Sequence, residues 1–384
     1  MSRADFLDCA CLRYDGRVDH PSVRAKAAAL LQDDPPWADD LYVAAALGRA
    51  DDLRRLATTT NANAASGPRH WPPLLYLCYS RVADPNADYL AAAKILLDLG
   101  ADPNAHFVTF DVCRFTTVAG AMGRGERGPR ALPEHPDGLK LARLLLEAGA
   151  DPNDSQALYN RMLRPGAEAL ALLLEFGLGP DAPLNWLSEF DGRVQNTTLH
   201  YQMMNAASNG HLDRIELLLA AGVDPHTRDD SGNSAWRRAR LGGHNAVVRH
   251  LEEAGVSPEA IDALDALQAA LLAGEDPEAR RIETPAMLEQ LRSERPDLLV
   301  RVAGEGRIAA VRLLLERGYP INEGNPPPLH NALWHGHVDI AQELLDRGAD
   351  PAIQEPRFNS DAQGWAEHGG HQAAIQLMES REAL

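Results

Sequence analysis

The chain has 384 residues and a formal net charge of −18, with 37 Lys and Arg against 55 Asp and Glu. Hydrophobic residues are 45% and charged residues 24%, a composition that excludes wholesale disorder. The acidic balance argues against binding nucleic acid or an anionic membrane surface, since both require clustered Lys and Arg.

Aromatic residues are only 5%, so the core is expected to consist of Ala and Leu. Residues 1–40 read as helical text, with an amphipathic stretch at Ser22–Gln32, and are expected to form an N-terminal helical cap. The opening MSRADFLDCACLRYDGR contains no apolar secretory region. The longest apolar runs, Leu41–Leu47 and Leu74–Tyr79, fall far short of the roughly 20 residues that cross a bilayer. A cytoplasmic location is expected. Cys9 and Cys11 are separated by one residue, not by the two of a zinc knuckle or redox pair, and Cys78 and Cys113 stand in apolar helical text. All four are read as reduced thiols, mostly buried.

From residue 41 onward the chain repeats. A Leu-Leu-x-x-Gly phrase recurs with glycines at Gly100, Gly149, Gly177, Gly222, Gly255, Gly318 and Gly348. Successive spacings are 49, 28, 45, 33, 63 and 30 residues. Those near 33 fit one unit, 63 fits two, and 49 and 45 fit one unit with an insertion. A second phrase precedes each glycine, most clearly in PPLHNALWHGHVDIAQELLDRGADP, Pro327 to Pro351. It returns from Ala206 and Ala239, and more weakly from Ala44, Val302 and Ala366. The letters have physical reasons. Small alanines let helices approach, Gly ends a helix without strain, and Asp-Pro cannot continue one.

These residues resemble the ankyrin repeat family, in the form of the bacterial-type ankyrin repeat domain proteins. The shared pattern is Thr-Pro-Leu-His-x-Ala-Ala-x-x-Gly-His, a second helix, then Leu-Leu-x-x-Gly-Ala-Asp-Pro. The resemblance implies an all-α solenoid of about ten helix-turn-helix units with helical caps and insertions. Residues 41–180 form divergent repeats, and 181–384 more regular repeats with a C-terminal cap. A degenerate unit is read at Leu264–Arg281.

Departures from the repeat mark candidate sites, because insertions map to loops and loops carry binding. Insertions stand at Arg81–Tyr89, Gly123–Gly138 and Pro180–Asn196. Gly120 and Gly123 fall in a predicted first helix, where each costs about 1 kcal/mol relative to Ala, so a closely packed partner or neighbouring helix is expected there. The candidate partner-binding residues are Trp71, Tyr79, Arg81, Glu126 and His135 in the divergent units. Trp186, Leu187 and Phe190 join them from the enlarged finger at 180–196. Two plainer readings stand beside these: drift in the divergent units, and a plug in which Trp186 and Phe190 pack on the short fourth unit.

Catalytic signatures are missing. GRGERGP lacks the GxxxxGK[ST] spacing of a phosphate loop, and no hydrolase, metalloprotease, kinase or dinucleotide motif occurs. Of the 14 histidines, His211, His244, His337 and His371 fall on the Gly-His step and His330 on the Leu-His step. The resemblance implies that such a histidine ties the first helix to its own turn. No cofactor and no metal are expected. The function expected is non-enzymatic protein–protein interaction by a monomer, with an acidic concave surface gripping a basic protein partner, as an inhibitor or immunity-type protein would. The alternative is an enzyme or small-ligand binder with a pocket in residues 71–161, where Asp111, Glu126, His135, Asp154, Tyr159 and Arg161 lie.

Overall fold

The computed structural model describes residues 2–14, 21–31, 37, 39–109, 113–123, 134–162, 165–184, 197–356 and 359–382. These fall into two compact units. One comprises the described residues up to 206 together with 211–232; the other comprises 207–210 and those from 233 onward.

The first unit opens with α1 (Arg3–Ala10) and α2 (Pro21–Ala29). Five helix pairs follow: α3 (Leu41–Leu47) with α4 (Ala50–Leu56), α5 (Pro73–Tyr79) with α6 (Tyr89–Asp98), and α7 (Thr117–Met122) with α8 (Gly138–Glu147). Then come α9 (Ser155–Met162) with α10 (Glu168–Glu175), and α11 (Thr198–Asn209) with α12 (Leu212–Ala220). First helices pack on first helices, α3 on α5, α5 on α7 and α7 on α9, while α4, α6, α8, α10 and α12 stack as a second layer. Each boundary has a local cause. Asp40 accepts from the Tyr42 and Val43 amides at the start of α3, and Asp88 accepts from Ala91 at the start of α6. Gly100, which follows α6, has φ 86 with no atom near the place of a Cβ, so conformation and not space requires glycine there.

The second unit holds α13 (Ala235–Leu241) with α14 (Asn245–Glu253), and α15 (Ala263–Ala273) with α16 (Asp276–Ile282). A single helix α17 (Pro285–Glu294) separates these from α18 (Leu298–Gly304) with α19 (Ile308–Glu316), α20 (Pro328–His335) with α21 (Val338–Asp346), and α22 (Ala362–Gly369) with α23 (Gln372–Glu382). The described residues thus contain ten helix pairs, as the repeat phrases predict. The degenerate unit is real as α15 and α16. Helix α17 takes the place of a finger and puts Leu291 into a core of Leu, Ala and Val.

Two features depart from expectation, one from the all-helical reading and one from the Ala and Leu core. A small antiparallel hairpin, β1 (His106–Thr109) and β2 (Cys113–Thr116), pairs Phe107 with Phe115. Cys113 therefore lies in a strand, half-buried, while Cys9, Cys11 and Cys78 are buried thiols. The core of the first unit is also aromatic as well as aliphatic. Trp71 stacks on Phe107 at 4.5 Å, Phe107 on Phe115 at 5.4 Å, and Tyr79 meets Phe107 edge-on at 5.1 Å. The scarce aromatics are concentrated here.

Candidate partner-binding surface

Four of the sequence-predicted site residues come together inside the first unit, and none presents its side chain to solvent. Trp71, Tyr79, Arg81 and His135 are all at most 5% exposed, which corrects their reading as partner contacts. Their packing explains the divergence of these repeats. The Tyr79 ring covers Gly120, where a Cβ would stand 2.6 Å from Cδ2, and the Tyr79 hydroxyl donates to the Thr116 carbonyl at 2.7 Å. Arg81 donates to the carbonyls of Cys78, Ser80, Gly120 and Gly123 at 3.0, 2.8, 2.6 and 2.9 Å. Burial holds its pKa below the usual guanidinium value. His135 accepts from the Asp137 amide at Nδ1 (3.2 Å), so Nε2 carries the proton that meets the Leu77 carbonyl, also at 3.2 Å. Burial pushes its pKa down to about 3, and the ring stays neutral against Tyr89. Glu126, Trp186, Leu187 and Phe190 lie outside the described residues, as does Asp111.

Among the described residues offered for a catalytic pocket, Asp154 and Arg161 are engaged in structure. Asp154 is buried, caps α9 by accepting from the Ala157 amide at 2.9 Å, and accepts a second bond from the Thr116 hydroxyl. Burial raises its pKa. Arg161 lies 3.6 Å from Glu134 and lines a shallow depression with Glu168 and Arg214, whose Nε donates to the Gly166 carbonyl. Among the described residues, no group of three His, Cys, Asp or Glu could hold a metal ion.

Three of the repeat histidines, His244, His337 and His330, bond outside their own turns. His244 Nε2 meets the Ser208 carbonyl and His337 Nε2 the Gly304 carbonyl, both at 3.0 Å. Each imidazole thus docks on the end of the preceding first helix, not on its own turn as expected. The glycine there makes room: a Cβ on Gly306 would be 2.7 Å from His337, and one on Gly336 2.6 Å from His371. His330 points the other way, to the Ile353 carbonyl of the next finger at 2.9 Å.

The fingers are locked to one another through asparagines. Asn63 accepts from the Asp102 amide at 2.7 Å and donates to the Gly100 carbonyl at 2.6 Å. Asn104 repeats this with Asp151 and Gly149, at 2.8 and 3.0 Å. Asn153 continues the ladder to the Pro183 carbonyl. In the second unit Asn322 accepts from the Asp350 amide at 2.9 Å. The backbone is held, and the Asp102, Asp151 and Asp350 side chains stand exposed beside it.

Sequence reasoning missed the helix ends of the second unit. Trp334 and His335 end α20, and Glu367 and His368 lie near the end of α22, which packs beside it. His335, Glu367 and His368 are exposed and Trp334 is half-buried. The Trp334 ring rests on Trp365 at 5.0 Å and stacks with His368 at 6.3 Å. The signal was available. Trp334, His335 and His368 occupy the two variable places before Gly-His, where the repeat has no structural need of a tryptophan.

Comparison with known proteins agrees with this architecture. A sequence model of ankyrin repeats (three copies) matches residues 271–355, and one of the single ankyrin repeat matches residues 195–230. The chain carries ankyrin repeats. It is 32% identical over 170 residues to a protein named probable E3 ubiquitin-protein ligase XBOS32 from Oryza sativa subsp. japonica, covering 42% of this chain and 32% of that protein. It is 42% identical over 60 residues to Rabankyrin-5 from Homo sapiens, covering 15% of this chain and 5% of that protein. The chain therefore spans at most about a third of the relatives it matches.

Proposed function

We propose that this ankyrin-repeat chain is a non-catalytic protein-binding module whose main contact surface is the row of first-helix ends and fingers in the second unit. Ankyrin repeats indicate protein–protein interaction; the choice of surface rests on one observation. Trp334, half-buried, tilted against Trp365 and stacked with His368, is a rigid aromatic at a position the fold does not require. Large aromatics of this kind dominate interface energetics, often at about 2 kcal/mol or more each. Glu323, Asp350 and Glu367 are exposed in the same repeats, and the whole chain carries −18, so the partner is a basic protein drawn by electrostatic steering. Occlusion of that partner, as an inhibitor or immunity-type protein would achieve, is the specific form proposed. The segment 180–196, with Trp186, Leu187 and Phe190, is proposed as a second contact.

The similarity to a probable ubiquitin ligase covers too little of that protein to carry ligase chemistry here. No described helix is long and apolar enough to cross a membrane. The test is affinity capture with the full chain and with Trp334→Asp, read by mass spectrometry. The expected result is one or more basic proteins retained by the parent and lost with Trp334→Asp at unchanged melting temperature. Identical captured sets would remove Trp334 from the surface, and an acidic partner set would remove the electrostatic part.

A further inference from the structure

The first unit differs from the second in what covers its first helices. All seven residues of α5 are buried. The second helix α6 packs against α5, and the chain's own N-terminal segment, residues 2–14, accounts for further burial. It runs along α3, α5 and α7. Arg3 pairs with Asp40 at 2.6 Å and donates to Ser66. The Leu7 side chain reaches Gly67, beside the Tyr76 hydroxyl. Asp8 pairs with Arg69 at 3.0 Å.

The segment then straightens and joins the chain through one antiparallel bridge. Arg81 donates its amide to Ala10 and Leu12 donates to Tyr79, both at 2.9 Å, with Cys11 opposite Ser80. Cys11 Sγ donates to the Tyr76 carbonyl at 3.6 Å. Tyr14 ends the run 4.4 Å from Phe115, its hydroxyl filling the space where Gly123 has no side chain. Helix α2 packs on α1, and Arg24 donates to the Cys9 and Cys11 carbonyls.

We infer that the inner face of α3, α5 and α7 is a peptide-binding groove whose resident occupant is the chain's own segment 2–14. The mode combines a helix lying in a groove with backbone strand addition, two recurring ways in which domains grip peptides. The contacts define the ligand. It carries a cation, an apolar pair three and four positions on, and a carboxylate five positions on. A strand with two buried apolar residues follows, closing on an aromatic ring. A partner segment of this chemistry fits the same groove in place of residues 2–14. This site is separate from the surface proposed on the second unit and does not depend on it.

The experiment uses the full chain with a protease site inserted between residues 32 and 36. After cleavage, a fluorescent peptide of residues 1–31 is added and its anisotropy followed. The expected result is exchange into the cleaved protein at unchanged helical circular dichroism. Unlabelled peptide should compete, and Leu7→Asp peptide should compete at least tenfold less well. Failure to exchange with the fold intact overturns the inference, as does equal competition by Leu7→Asp. Loss of the helical signal on cleavage also overturns it, because residues 2–14 would then be core. Hydrogen exchange on the uncleaved chain gives a second reading. The Leu12 and Arg81 amides should exchange together and much faster than Leu145 in α8; equal protection counts against a displaceable occupant.

Discussion

A Cβ on Gly120 would stand 2.6 Å from Cδ2 of the Tyr79 ring. This contact explains a glycine in the middle of a helix, where the helix itself gains nothing from it. Gly120→Ala adds helix propensity worth about 1 kcal/mol but forces a ring that is fully buried, and overpacking of that kind costs about 1–3 kcal/mol. A net fall in stability is expected in denaturant titration. Gly120→Ala combined with Tyr79→Leu should recover part of the loss. An increase in stability from Gly120→Ala alone would show that the ring moves aside freely.

Arg81 holds four carbonyl oxygens with two nitrogens. Arg81→Leu strips donors from the carbonyls that end α7, and buried unsatisfied acceptors cost about 1–3 kcal/mol each. A loss of at least ~3 kcal/mol is expected from the set. Arg81→Lys should rescue only a minor part, because one ammonium cannot reproduce the planar fork. Equal stability of the Lys variant and the parent would refute the fork.

One buried and one half-buried histidine make stability depend on pH. The folded-state pKa is lowered to about 3 for His135 and about 4 for His244, in both cases chiefly by burial. Below the ordinary value near 6.5 the unfolded chain binds protons that the folded chain refuses. Stability is therefore full above pH 6.5 and is lost as pH falls toward 4, by up to about 1.4 kcal/mol per pH unit for each histidine. Melting temperature measured from pH 7.5 to 4.5 should fall. His135→Gln, which retains a donor for the Leu77 carbonyl, should flatten the slope. A slope identical to that of the parent would mean that His135 titrates normally.

Asn104 bridges two fingers with one side chain. Asn104→Ala removes a bond to the Asp151 amide and one to the Gly149 carbonyl, both at the surface, and should cost about 1–2 kcal/mol. The sharper readout is hydrogen exchange. The Asp151 amide should lose protection, while Leu145 in α8 keeps it. Unchanged protection at Asp151 would show that the ladder follows the fold without supporting it.

The repeat phrases made the ten helix pairs legible because each glycine marks a chain reversal that no other residue makes as easily. Helix α17 was not legible. PAMLEQLRSE carries no repeat phrase, and its role in completing the degenerate unit appears only through Leu291 packing. The hairpin escaped because its strands are four residues each, too short for alternation to be read. The site was misread for a deeper reason. Trp71 and Tyr79 lie off the repeat pattern, and off-pattern aromatics suggest a surface for a partner. What buries them includes Phe107 and Tyr14, and sequence spacing does not show that proximity. Trp334 went unnoticed for the opposite reason, because it sits in the repeat closest to consensus.

The meeting of three Gly-His imidazoles with the repeat before them bears on how such chains can be rearranged. His244 seats against Gly210, His337 against Gly306, and His371 against Gly336. Socket and plug belong to different helix pairs, so the helix pair is not the piece that moves intact. A duplication or graft cut at the fingers keeps every pair whole, yet it can set an imidazole against a residue that leaves no space for it. The transplantable module is offset: it begins at the socket glycine and ends at the histidine one repeat later.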